Sequence, residues 1–265
     1  SSEKTAGTQA LILATTTSTQ DSGLLDYILP DFEQKYNAKV NVIAVGTGQA
    51  IAIGEKGDAD VLLVHARAQE DAFVAAGDGT QRYDVMYNDF VIVGPASDPA
   101  GIKGMTDAVA AFQKIAAAKA KFVSRGDESG TNIKENAIWA KAGITPPKGG
   151  WYASAGQGMG EVLTMSEELQ AYTLSDRSTY LARQAVGLKL DILVQGDPIL
   201  FNPYGVIPVN PAKFPGVHAD LAQKFVDWIT SVDTQALIAS FKINGQQLFT
   251  PNSDAWHAAH SGSNY

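Results

Sequence analysis

An α/β protein in two lobes is what this chain predicts, on three observations. Short apolar strands alternate with helical patterns, several strands run directly into hydroxyl- or glycine-rich turns, and two similar apolar segments flank a central block. A length of 265 residues with 45% apolar side chains suits one large domain or two medium ones with real cores.

The elements follow in order. Leu11-Ile12-Leu13-Ala14 is a strand that enters the hydroxyl run Thr15-Thr16-Thr17-Ser18-Thr19. Five hydroxyl residues exceed what one helix cap uses, so several need other partners. A helix follows with Leu25, Ile28, Leu29, Phe32 and Tyr36 as its apolar stripe, and Pro30 is expected to kink it or end its first segment. The strand Val40–Val45 runs into Gly46-Thr47-Gly48-Gln49, where the glycines allow backbone amides close to a ligand or simply make a flexible turn. Val61–Val64 is a third strand, ending at His65. Tyr83–Tyr87 is an aromatic approach to Asp89–Pro95, and Asn202–Pro208 is its later counterpart, so these two segments are expected to cross between the lobes. The expected division is residues 1–90 with 203–265 as a discontinuous first lobe, and 91–202 as the second.

Within the central block, Val109, Phe112 and Ile115 share one face of a helix over Met105–Lys121, and Phe122-Val123 is a short extended segment. The turn Ser124-Arg125-Gly126-Asp127-Glu128-Ser129-Gly130-Thr131-Asn132 opens the next helix, in which Ile133, Ala137, Ile138 and Ala140 recur until Gly143 and the stop at Thr145-Pro146-Pro147. Gly150–Gly160 reads as a connection whose aromatics pack inward, with Ser154 as a possible cleft donor. A strand over 191–194 precedes the second crossover, helices over 221–230 and 234–243 return to the first lobe, and 261–265 is expected to be a frayed tail.

The Arg125–Thr131 turn carries the chemistry. A helix start offers unpaired N–H groups and partial positive charge, and the Arg125 fork with the Ser129 and Thr131 hydroxyls adds aimed donors, so a small oxyanion is the ligand class. The plain structural reading is that Ser129 or Thr131 only caps the helix and Arg125 pairs with Asp127 or Glu128. The hydroxyl run at 15–19 and the glycine loop at 46–48, in equivalent places, favour the anion.

Several classes are disfavoured. With no cysteine, thiolate metal sites, disulfides and cysteine nucleophiles are excluded, and a formal charge of −8 argues against a nucleic-acid partner. No stretch approaches the roughly 18 apolar residues of a membrane span. Ser1-Ser2-Glu3-Lys4 shows no signal peptide, as in a processed mature end. His257 and His260 have helical metal-ligand spacing without a third ligand nearby, so no protein-ligated cation or cofactor is expected. No G-x-S-x-G or Walker A pattern supports an enzyme, and Asp176-Arg177 reads as an ion pair or as a brace.

These residues resemble the type II periplasmic solute-binding proteins and, within them, the tungstate-binding proteins of Tup ABC uptake systems. The resemblance rests on Thr15–Ser18, Gly57–His65, Arg125–Thr131 and Ala171–Leu181. It implies two lobes, each a mixed sheet flanked by helices, joined by two crossover segments and closing on one tungstate or molybdate. Thr16, Thr17, Ser18 and Thr47 would come from one lobe, and Arg125, Ser129, Gly130 and Thr131 from the other. It further implies a membrane permease with its ATPase as partners, a monomer, and a periplasmic or membrane-tethered location.

Phosphate-binding relatives share the R-x-D-x-S-G-T pattern, and phosphate carries a proton near neutral pH that asks for an acceptor. Their acceptor Asp would align near His65, where this chain offers an imidazole, which favours a proton-free dianion. Asp127 would then orient Arg125 rather than touch the ligand. Phosphate and sulfate remain the alternative ligands, and an anion-sensing domain is a further reading.

Overall fold

A computed structural model describes residues 7–145 and 147–261; the amino end at 1–4, Pro146 of the expected stop and the tail at 262–265 lie outside the described residues. The elements run β1 (Gln9–Thr16), α1 (Thr17–Asp21), α2 (Leu24–Tyr36), β2 (Ala38–Val45), α3 (Thr47–Glu55), β3 (Val61–Val64), α4 (Arg67–Ala75) and β4 (Tyr83–Gly94). There follow α5 (Ala108–Ala118), β5 (Phe122–Ser124), α6 (Gly130–Lys141), β6 (Tyr152–Ser154), α7 (Met159–Leu169), β7 (Thr173–Asp176), α8 (Arg177–Ala185), β8 (Asp191–Val194), a 3₁₀ turn (Pro198–Leu200) and β9 (Phe201–Pro208). The chain ends with α9 (Ala219–Thr230), α10 (Val232–Ser240), the two-residue strands β10 (Lys242–Ile243), β11 (Gln246–Gln247) and β12 (Thr250–Pro251), and α11 (Asp254–Ala259).

Two compact units emerge. Among the described residues, the first holds 7–87, Pro203–Lys242 and 249–261; the second holds Asn88–Asn202 and Ile243–Leu248. The segment Ile243–Leu248 thus groups with the central block, where the sequence reading assigned it to the flanking segments.

The sheet order β12–β4–β9–β3–β1–β2 organises the first unit. β1 pairs in parallel with β2 and β3, whereas β3 pairs antiparallel with β9, so the sheet is mixed. Leu11, Leu13, Leu62 and Val64 are fully buried, as expected of central strands covered on both faces. On one side Phe73, Ile51 and Ile207 pack together; elsewhere Phe32 of α2 meets Phe225 and Trp228 of α9 with ring centroids 5.2 Å apart in each case. Helix α2 runs through Pro30, so of the two expectations for this proline the end of a first segment is not met. Burial of Ile28, Leu29 and Phe32 on either side of the proline outweighs one missing N–H.

In the second unit the later half of β4 pairs antiparallel with β7 and β8, and β5 pairs in parallel with β6. Its core has two parts. Phe112, Phe122, Trp139 and Tyr172 fill one, with the Phe112 and Trp139 centroids 4.3 Å apart; Val91, Val93, Val123, Leu163 and Tyr180 fill the other. β6 lies inside the segment expected to be a plain connection. Only three residues long, with a half-exposed face, it shows no alternation that would betray it.

Candidate functional site

In the first unit the register places three turns side by side. Thr16 lies opposite Val45 and Thr15 opposite Leu63 across the parallel ladders, so β1, β2 and β3 all reach their carboxyl ends at one edge. Thr17-Ser18, Gly46-Thr47 and His65 are therefore neighbours by topology. Ligands of open α/β sheets sit at this kind of edge.

The hydroxyls there are not equivalent. Thr15 Oγ1 donates to Leu63 O at 2.7 Å and is spent on joining strands. Thr16 is buried and caps α1 by accepting from Thr19 N; its Oγ1 also lies 2.7 Å from Thr19 Oγ1 and 3.1 Å from His65 Nε2. Thr17 and Ser18 are exposed, and Ser18 Oγ stands 3.3 Å from His65 Nε2. The His65 ring packs on Tyr204, centroids 4.6 Å apart. The imidazole is thus held by a ring and two hydroxyls, a bracing position for the hydroxyl turn. Tyr204, which the sequence reading did not single out, carries no motif.

Gly46-Thr47-Gly48 is not a free loop. Gly46 caps α3 and the helix begins at Thr47, so the glycine turn is a second helix start beside the first. No side chain caps it, which leaves the first-turn N–H groups open.

In the second unit Arg125 follows β5, whose pairing sets Ser124 opposite Ser154. Past the strand ends the two loops stay tied, since Ala155 N donates to Ser124 O at 2.9 Å and Gly156 N to Arg125 O at 2.7 Å. Gly126 is left-handed at φ +58°, and a Cβ there would collide with Ser154 Oγ. Ser154 is thus a wall for the Arg125 turn as well as an exposed hydroxyl.

Arg125 Nε and Nη2 donate to Asp127 Oδ2 at 3.1 and 2.6 Å, while Asp127 Oδ1 accepts from Ser129 N at 3.2 Å. Burial raises the Asp127 pKa, but the hydrogen bonds from Ser129 and Arg125 win and hold it below the ordinary carboxylate value. Ser129 caps α6 by accepting from Asn132 N at 3.2 Å. The capping and pairing of the plain structural reading are therefore both present. They leave the Gly130 and Thr131 amides at the helix start and Arg125 Nη1 without a recorded acceptor, so the donors for an anion survive the local bonds.

Beneath this turn lies a polar cluster that the sequence reading missed. Glu135 is 2% exposed and accepts from Trp139 Nε1 at 2.9 Å and Tyr152 Oη at 2.6 Å. Burial pushes its pKa up against the pull of hydrogen bonds from Ser124, Tyr152, Trp139 and Asn132. A carboxyl raised above its ordinary 4.5 contributes stability that is complete below that pH and lost as pH rises through the native value. Unfolding free energy should therefore fall with increasing pH above 4.5, and more weakly in Glu135→Gln, as denaturant melts at stepped pH will read. Equal slopes in the two proteins would refute a buried, proton-holding Glu135.

Of the two readings open for Asp176-Arg177, the structure has the brace and not the ion pair. Arg177 pairs with Asp89, at 2.7 and 2.8 Å, and with Gln195, not with Asp176; Asp176 instead caps α8 through Thr179 N. Adjacent residues at a helix start point apart, which forbids the sequential pair. His257 lies in α11 and contacts Asn252, and among the described residues no group of three His, Cys, Asp or Glu gathers to hold a cation. No helix of the described residues is long and apolar enough to cross a membrane.

Comparison with known proteins agrees with this anatomy. The PBP superfamily domain matches residues 1–233. The tungstate-binding protein TupA of Peptoclostridium acidaminophilum is 55% identical over 94% of this chain and 88% of its own length. A putative ABC transporter anion-binding protein of Haloferax volcanii is 55% identical over 92% of this chain and 72% of its own. The solved structure of TupA from Desulfovibrio alaskensis is 52% identical with a TM-score of 0.90, covering 93% of this chain and all of that one. The chain therefore belongs to the PBP superfamily and, within it, to the TupA family, and has that family's two-lobed mixed α/β fold.

Proposed function

We propose that this protein is the anion-capturing component of an ABC importer, and that its ligand is tungstate, with molybdate as a second guest of the same shape and charge. The observation that carries the ligand class is the Arg125–Thr131 turn, where Asp127 accepts from Arg125 and Ser129 while the start of α6 and the rest of the Arg125 fork keep donors for an anion. Such a turn suits an anion with no proton to give away. The names of the relatives, tungstate-binding in two bacteria, support tungstate within that class.

Thr16, Thr17, Ser18 and Thr47 on the first unit and Arg125, Ser129, Gly130 and Thr131 on the second are the proposed donors to one anion. His65, Asp127 and Ser154 hold these donors rather than the ligand. No chemistry is performed: the donors replace the anion's water shell, and the loaded protein hands it to a membrane permease driven by an ATPase. A monomer outside the cytoplasmic membrane, free or tethered, fits this role. Capture also explains why a net charge of −8 is tolerated, since a few aimed donors act at contact distance where long-range repulsion is screened.

A competition titration with tungstate, molybdate, phosphate and sulfate tests the proposal. Tungstate and molybdate are expected to bind at least about a hundredfold more tightly than phosphate, as a site whose donors are matched to a proton-free dianion requires. Tighter binding of phosphate would overturn it.

A further inference from the structure

Asn132 joins both ends of the Arg125 turn. It is 6% exposed, its Oδ1 accepts from Glu128 N at 3.0 Å, and its Nδ2 reaches Ser124 Oγ at 3.4 Å. One amide side chain thus spans from the last residue of β5 to the residue before the α6 cap. Glu128 is a non-glycine residue at φ +61°, a conformation that persists only where its surroundings fix it. Ser124 is 1% exposed, so its hydroxyl has no access to water as a substitute partner.

The clamp has a foundation. One turn along α6, the buried Glu135 carboxyl accepts from Trp139 Nε1 at 2.9 Å and from Tyr152 Oη at 2.6 Å, so helix and neighbouring strand share it. Tyr152 belongs to β6, the neighbour of β5, and Trp139 stands in the aromatic core beside Phe122 and Phe112. The turn is therefore fastened from below to the aromatic core of its unit. None of these groups is at the surface where the anion donors lie.

We propose that Asn132 is a positioning residue for anion capture: by bridging Ser124 and Glu128 it fixes the turn before the ligand arrives, and so sets which anion size fits. This rests on the oxyanion reading of the turn but not on the identity of the anion. A turn held in advance loses little freedom on binding and keeps its donors at one radius. A slack turn shrinks around a smaller guest. Sulfate is the smaller dianion against tungstate, so loss of the bridge weakens capture and also narrows the preference between the two.

The experiment titrates wild type, Asn132→Leu, Ser124→Ala and Ile115→Val with tungstate, molybdate, sulfate and phosphate, and follows amide exchange of Glu128. Ile115 is a fully buried core residue of the same unit, so its truncation controls for simple destabilisation. Asn132→Leu should lose at least about tenfold in affinity for the anion that wild type prefers, with a lower tungstate-to-sulfate ratio and faster Glu128 exchange. Ser124→Ala, which removes only a hydroxyl, should shift affinity and ratio the same way by less, and it decides the matter if Asn132→Leu does not fold. Ile115→Val should leave affinity and ratio unchanged. Unchanged affinity and ratio in both Asn132→Leu and Ser124→Ala would overturn the proposal, as would an equal loss in Ile115→Val. If wild type prefers phosphate, the tungstate reading fails while the clamp is still judged on phosphate.

Discussion

Arg125→Ala should lower oxyanion affinity by at least about a hundredfold, the scale expected when a charge-assisted, forked donor is withdrawn from an anion. Calorimetric titration with tungstate reads the loss directly. The fold should survive, since Arg125 is partly exposed and among the described residues its side chain bonds only Asp127, two residues away. Removing the guanidinium also frees the Asp127 carboxylate, which would then face the ligand as a repelling charge. Asp127→Asn in the Arg125→Ala background should recover part of the affinity. An unchanged affinity in Arg125→Ala would remove the residue from the site and, with it, the turn as the capture point.

The second large effect concerns stability rather than binding. Arg82 and Glu70 form a buried pair in the first unit, with side chains 7% and 0% exposed and Nε 2.7 Å from Oε1. Burial opposes both charges, while Asp84 joins Glu70 in holding Arg82 protonated, and Glu70 also accepts from Ala66 N just after His65. Arg82→Leu leaves the Glu70 carboxyl buried without its cation and should cost about 3–5 kcal/mol. Denaturant melts of the two proteins measure it. Glu70→Gln with Arg82→Leu should recover much of that loss, because no buried charge then remains. A loss below about 1 kcal/mol in the single variant would show that water reaches the pair.

The strand-turn-helix units were legible because each announces itself twice, once as an apolar run and once as the hydroxyl or glycine turn that ends it. Val61–Val64 and Asp191–Val194 coincide with their expected ranges, and Thr16, Gly46 and Ser129 all fall at helix caps. Pro30 left two outcomes open, because a missing hydrogen bond can kink or end a helix, whereas α2 is carried past it by what its flanks bury. The polar underside was illegible for a different reason. Asn132 and Glu135 sit on a helix whose polar and apolar residues suggest an outward face, and only Tyr152 of β6 closing over Glu135 turns that face inward. Arg177 shows the same limit, since its partner Asp89 is 88 positions away along the chain. Local spacing reveals caps and turns; long-range partners of charged residues need the fold.

Gly126 and Ser154 together restrict how this protein could be re-engineered. With the backbone left-handed at one position and the neighbouring hydroxyl filling the space a methyl would need, a randomised library over the turn should return glycine at 126 in nearly every functional clone. Shrinking Ser154 to alanine or glycine relieves the collision but not the left-handed backbone, so it offers only a partial escape. A sensor retuned for a different guest should therefore be diversified on the hydroxyl-bearing turns of the first unit, where Thr17 and Ser18 stand exposed.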